Sequence, residues 1–344
     1  MSIIESWLPW LSQLETPGLV LFISLLIALY FWVTETDVGL ALTAPWTIKN
    51  ERERSAFYSL YRPGFQASEL GLVAAFWLLD AIFLGPKDAY HQVIWIGVGL
   101  IVLNLLLRLG AAWSSGKTIK GAHAMRFVHA LVSVATVIYL ITVGFSVLLN
   151  IGMGAVTVGM FFLSPIGVVC GIWAVLACTS HGALYAAWKT TNPLRERCRA
   201  LALVILFMHI LLSIILLLAI YMLVILPTQV KPIFIGGGLA SILIYVVMYV
   251  TARKRHVGAA YFMGYFGAIA AFTMYQLVFY MIMQGTVLPG GWGQVANRLP
   301  TLFWPAVAVA VCGAIIALVY KWTRPVIELP RTIGWKQNEN RDKG

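Results

Sequence analysis

Residues 164–200 read SPIGVVCGIWAVLACTSHGALYAAWKTTNPLRERCRA. From Pro165 to Trp188 the stretch is apolar over helical length, and it ends at Lys189 in a basic loop marked by Pro193. In hydrocarbon a chain must satisfy its backbone internally, so a run of this kind is a transmembrane helix whose end meets water at Lys189. Arg195, Arg197 and Arg199 on the loop then indicate which side of the membrane that end faces.

The rest of the chain has the same character. With 60% hydrophobic and 11% charged residues, it has too few charges to cover a water-soluble globule and is expected to be an integral membrane protein. Nine apolar segments have spanning length, at about 18–35, 69–85, 92–112, 125–149, 157–187, 201–226, 233–251, 258–284 and 302–321. Of the 24 Lys and Arg, all but Lys87, Lys231 and Arg298 fall in or beside the loops after the first, third, fifth and seventh spans, or in the C-terminal tail. That alternation places the N-terminus outside and the C-terminus in the cytoplasm. The net charge of +11 is therefore a topology signal, and nucleic acid is not an expected partner. Residues 1–17 are short and mildly acidic, with Trp7 and Trp10 spaced to lie in the outer interface. No Lys or Arg precedes Lys49, so the basic n-region of a cleaved signal is missing and the first span is expected to stay.

Gly39, Ala44, Arg52, Glu53 and Arg54 are echoed 143 residues later by Gly182, Ala187, Arg195, Glu196 and Arg197. Both stretches follow a span that runs inward, which suggests two parallel repeats. The expected fold is all-α and polytopic, with nine transmembrane helices: a first four-helix bundle over 18–150, a second over 157–284, a peripheral ninth helix at 302–321 and a cytoplasmic tail at 322–344.

Ionisable groups inside spans are costly and mark candidate sites. Glu35 and Asp37 end the inward-running first span and Glu69 begins the second, so all three are expected at similar depth near the cytoplasmic face. Asp80 lies about 16 Å farther along its helix at 1.5 Å per residue. Two readings are open: a proton-collecting group, or interfacial acids balanced by Arg52, Arg54 and Arg62. His129, His181 and His209 fall in the inner halves of their spans. They are read as hydrogen-bonded bundle histidines, although two imidazoles on facing helices can also clamp a haem iron. Cys170, Cys178, Cys198 and Cys312 form no CxxC and read as buried, inert thiols. Glycines such as Gly97, Gly99, Gly236, Gly237, Gly238, Gly264 and Gly267 allow close helix approach. No Walker-type loop, GxGxxG, HExxH or nucleophile elbow occurs in the sequence.

Pro165, Gly167, Gly171, His181, Gly182, Ala183, Tyr185, Lys189 and Thr190, with Arg199 and Ala200 after a loop one residue shorter, resemble the middle span of subunit II of the cytochrome bd-type quinol oxidases, N-P-x-G…G…H/Q-G-A-x-Y-L…K/R-T. Asp37-Val38-Gly39 resembles the end of that family's first span, G-F-D-x-G. Pro63, Phe65 and Glu69 fit the start of its second, P-x-W-D-G-N-E/Q-V-W, with Gln66 where the family has Asp and Ala67 and Ser68 where it has Gly and Asn. The resemblance implies a subunit without haem of a terminal oxidase in the bacterial cytoplasmic membrane. Its partner, subunit I, would carry two b-type haems and one d-type haem, oxidise quinol near the outer face and reduce oxygen to water. A small single-span third subunit belongs to some such complexes. The family's Asp opens a proton path, so Gln66 puts that path in doubt and makes Glu69, with Asp37, the substitute. Two other classes stay open at this point: a secondary transporter, which parallel repeats and intramembrane acids also suit, and a haem-binding membrane cytochrome b built on the histidines.

Overall fold

A computed structural model describes residues 16–60, 165–223, 231–282 and 301–327, with Thr228 and scattered helical residues between 70 and 135. In chain order the helices are α1 (Thr16–Thr47), α2 (Glu51–Leu60), α3 (Pro165–Lys189), α4 (Leu194–Leu223), α5 (Lys231–Arg253), α6 (Val257–Ile282) and α7 (Phe303–Thr323). Among the described residues the only β-type pairing is a parallel bridge between Thr190 and Ile327. Five of the helices, α1, α3, α4, α5 and α7, are long and apolar enough to cross a membrane, and α6 contains a shorter apolar stretch, Val257–Ala271. The chain is thus a multi-pass membrane protein, helical throughout its described elements. The expected spans at 69–85, 92–112 and 125–149 are described only at scattered helical residues, and the N-terminal segment up to residue 15 and most of the tail lie outside the described residues.

Two boundaries differ from the hydropathy reading for one physical reason. The first span was expected to stop near residue 35, but α1 continues to Thr47. Its acids do not mark a water surface, because Glu35 and Asp37 find cationic or imidazole partners on α3 and α7. Likewise α4 starts at Leu194 rather than near 201, and two of its early arginines, Arg197 and Arg199, are taken up by Glu53 and Glu196. Charge read as loop was charge partnered on a helix.

The break between α1 and α2 is built by a reciprocal cap. Asn50 Oδ1 accepts the Glu53 N–H at 2.9 Å, and Glu53 Oε2 accepts the Lys49 N–H at 2.9 Å. The corresponding break between α3 and α4 falls at Thr190–Pro193, where the Asn192–Pro193 peptide is cis.

Helices α3, α4, α5 and α6 pack in a closed cycle, each against the next and α6 back against α3. α1 lies along the α3–α6 side of that cycle, and α7 packs on α1. The α1–α3 crossing is a contact of bare backbones: a Cβ placed on Gly39 would sit 1.7 Å from the Cys178 carbonyl oxygen, and one on Gly182 would sit 2.0 Å from the Gly39 carbonyl carbon. Only glycine admits such an approach. Threonines near the crossing turn their hydroxyls back onto their own helices, Thr43 to the Gly39 carbonyl at 2.7 Å and Thr47 to the Thr43 carbonyl at 3.0 Å. Where no water competes, this satisfies them without a partner helix. At the α1–α3–α6–α7 junction Trp32, Tyr185, Trp188, Tyr261, Phe262 and Trp322 form a continuous aromatic cluster with centroid spacings of 4.7–6.3 Å.

Candidate functional site

The sequence-nominated groups converge where α1 meets α3. Glu35, 6% exposed, places Oε2 2.7 Å from Nδ1 of fully buried His181. A buried carboxylate needs such a partner, since an unpaired charge in this setting carries a desolvation cost of several kcal/mol. One residue on, the Thr36 hydroxyl donates to the Trp32 carbonyl at 2.9 Å and shares a 3.0 Å hydrogen bond with the Tyr261 hydroxyl. Two residues on, Asp37 pairs with Lys321 of α7, a buried lysine whose Nζ also lies 4.9 Å from the centroid of the Tyr185 ring. Three successive residues of α1 therefore reach α3, α6 and α7.

Beyond His181 the polar groups continue. The Tyr245 ring of α5 lies 6.3 Å from the His181 ring and 4.3 Å from that of His209, which is fully buried on α4. The edge of Trp173 meets His209 at 5.0 Å, and Trp173 Nε1 donates to the Ser213 hydroxyl at 2.8 Å, which in turn donates to the His209 carbonyl at 2.7 Å. That frame fixes the segment of α4 carrying His209. Among the described residues, His181 Nε2 and both ring nitrogens of His209 make no hydrogen bond.

Lower on α3, buried Lys189 donates to the carbonyls of Trp322 (3.2 Å) and Arg324 and lies over the Trp188 ring at 3.6 Å. The segment after α7 runs back alongside it: the Ile327 N–H donates to the Lys189 carbonyl at 2.8 Å, and Arg324 donates to the Ser59 carbonyl at 2.7 Å. Lys189 thus caps the C-terminal carbonyls of α7. On the α2 side Arg197 binds both Glu53 and the Thr47 carbonyl, the latter at 2.9 Å. Burial pushes the Glu53 carboxyl up, but the Arg197 guanidinium and the Lys49 N–H outweigh it and hold the group below its ordinary value.

Neither His181 nor His209 offers a haem seat. His181 Nδ1 is taken by Glu35, and its Nε2 faces Gly264 so closely that even a Cβ there would lie 2.6 Å away. His209 is fully buried, with the Tyr245 and Trp173 rings packed against it where a porphyrin would have to lie. No group of three or more His, Cys, Asp or Glu among the described residues could hold a metal ion.

Of the nominated residues, the structure brings together Glu35, His181 and His209, and adjacent to them Asp37 and Tyr185. It sets Pro165 at the start of α3, buries Gly171 within that helix and puts Gly182 at the α1 crossing. Gly167 lies in the first turn of α3. Gln66, Glu69, Asp80 and His129 lie outside the described residues. Sequence reasoning missed Lys321, counted as a tail charge, and Thr36, Tyr245 and Tyr261, which carry no signal apart from their partners.

Comparison with known proteins follows the same line. A family model described as cytochrome bd terminal oxidase subunit II matches residues 18–326. No curated protein sequence matches. Among solved structures, a chain of the bd oxidase from Geobacillus thermodenitrificans is similar in fold, with a TM-score of 0.67 at 14% identity over 88% of this chain and 95% of that one.

Proposed function

The chain belongs to the cytochrome bd terminal oxidase subunit II family, and from that premise we propose that it serves as the subunit without haem of a quinol oxidase complex in the bacterial cytoplasmic membrane. The match across residues 18–326 is the observation that carries this reading, and the similarity of fold to a bd oxidase chain supports it.

In this role the chain seats a larger, haem-bearing subunit I through a long lateral interface in the membrane. Two b-type haems and one d-type haem there pass electrons from quinol to oxygen. Two quinols release four electrons and four protons to the outer side, and one oxygen molecule takes up four electrons and four protons from the cytoplasm to give two waters. The membrane is charged without a pump, because the two sets of protons are exchanged on opposite sides. This chain contributes to the inward set through acidic residues at the inner ends of its first two spans, Glu69 and Asp37, with Glu35, Asp80 and Gln66 near the same route. The basic loops support an inner placement for that end. The near-coincidence of the α1–α2 and α3–α4 breaks under the 143-residue displacement supports a parallel repeat.

Purification of the intact complex tests the proposal. A second, larger membrane chain holding all the haem absorbance is expected, with quinol-driven oxygen consumption. A colourless protein isolated alone, or iron bound to this chain, would overturn it.

A further inference from the structure

The polar groups around the α1–α3 crossing form a line. Asp37, joined to Lys321, stands nearest the basic-loop end, followed by Thr36 with Tyr261, then Glu35 with His181, then Tyr245 and last His209. At 1.5 Å per residue, His181 lies about 12 Å from the basic-loop end of α3, and His209 about 22 Å from that of α4. The line therefore climbs from the basic-loop end into the interior of the helix cycle.

Three nitrogens along it lack partners among the described residues: Nε2 of His181 and both ring nitrogens of His209, each on a residue with no exposed surface. A buried polar atom left unpaired carries a penalty of about 1–3 kcal/mol. Packing alone gives no reason to accept it, because phenylalanine fills similar space without polar nitrogens. The imidazole's particular ability is to hold a proton on one ring nitrogen while the other can accept one. Gly264, opposite the free edge of His181, leaves that edge uncovered by any Cβ. The groups facing the line from each neighbouring helix are Asp37 and Cys178 from α1 and α3, Lys321 from α7, Tyr245 from α5 and Tyr185 and Tyr261 from α3 and α6. Lys321 is already bound to Asp37, so no cation competes with the histidines for a transferred proton.

The geometry points to Glu35, His181 and His209 as a proton relay, with the Glu35–His181 pair as the loading site and His209 as the next acceptor. This deepens the oxidase reading and rests on it. Empty, the pair is a carboxylate and a neutral imidazole. Loading adds one proton, held as carboxylate with imidazolium, and forms no other bond. Unloading passes the His181 Nε2–H proton on to a ring nitrogen of His209. His209 returns to neutral imidazole when it gives that proton onward, and no electron is exchanged at any step.

The test uses the purified complex in sealed vesicles with a pH dye trapped on the side that takes up protons, supplied with quinol and then a pulse of oxygen. Glu35→Gln and His209→Phe are expected to slow both proton uptake and oxygen consumption by roughly tenfold or more. The solvent deuterium isotope effect should rise, while the haem spectrum and the co-purifying chains stay as in the parent. A structural His209 would tolerate phenylalanine. Full-rate uptake in both variants, or in His209→Phe alone should Glu35→Gln not assemble, overturns the relay and leaves the oxidase reading standing. Parent vesicles that take up no protons on the oxygen pulse overturn that reading and the relay with it.

Discussion

Gly39 and Gly182 show how much a single missing Cβ determines in this molecule. Each faces the other helix's backbone at a distance no methyl group can share, so either substitution by alanine must push α1 and α3 apart. Overpacking of this kind costs about 1–3 kcal/mol, and more where backbone cannot yield. Gly182→Ala is therefore expected to lower the thermal midpoint of the solubilised complex and its yield, with Gly39→Ala acting in the same direction; an unshifted melting curve would show that the crossing is looser than drawn. Both glycines were visible in the sequence, because they recur at the 143-residue displacement and flank loops of matching charge. The pairing of Glu35 with His181 was not. The two are 146 residues apart, and periodicity places a residue on a helix without naming what it will face. The acid at 69 is argued from resemblance alone, and its prediction follows that argument: Glu69→Gln should slow quinol-driven oxygen consumption severalfold with an intact haem spectrum. Unchanged turnover removes it from proton delivery.

At the scale of elements, the ends of helices carry most of the information hydropathy lacks. The α1–α2 corner is held by Glu53, which Arg197 and the Lys49 N–H keep ionised more readily than an ordinary glutamate. A carboxyl with a lowered folded value stabilises fully above its unfolded value of about 4.3 and loses that contribution as pH falls through the lower folded one. The corner should therefore be indifferent to pH between about 8 and 5 and weaken only below about 4. Glu53→Gln should remove that acid limb from the stability profile, and a profile with the same acid limb in the variant would assign it elsewhere. The α5–α6 corner turns on Arg255, which adopts φ 69 after the last turn of α5, where the His256 N–H reaches the Thr251 carbonyl at 3.1 Å. A left-handed residue with a Cβ is disfavoured there by about 1 kcal/mol. Arg255→Gly should raise the melting midpoint slightly, with Arg253 and Lys254 keeping the corner basic; a fall would mean the Arg255 side chain contributes more than its backbone loses. Sequence reading placed the end of α3 within a few residues, because Lys189 and Pro193 mark the loop there. It ended α1 too early, because it treated Glu35 and Asp37 as signs of water when both find partners inside the protein.

For the whole molecule, the all-helical membrane fold was legible from composition and run length, since those alone decide whether backbone groups can be satisfied in hydrocarbon. The closed α3–α4–α5–α6 cycle and the position of α1 against it depend on which faces meet, and small residues signal closeness without naming a partner. Orientation is the property the basic loops predict most directly. Single cysteines introduced at Asn50, Asn192 and Lys254, in a background lacking the four native thiols, should all react with a membrane-impermeant reagent from the cytoplasmic side only. Labelling of any one from the outside would reverse that crossing.

The strand-like return of residues 324–327 onto Lys189 and Thr190 has a consequence for synthesis. Lys189 leaves the ribosome well before the carbonyls of Trp322 and Arg324 that receive its ammonium, so during translation it is a cation waiting at the mouth of a helix. Only arrival of residues 322–327 closes this latch and draws Arg324 onto Ser59. The folded state thus depends on residues 322–327 having been made, and a chain stopped before them would leave the Lys189 ammonium without those carbonyls.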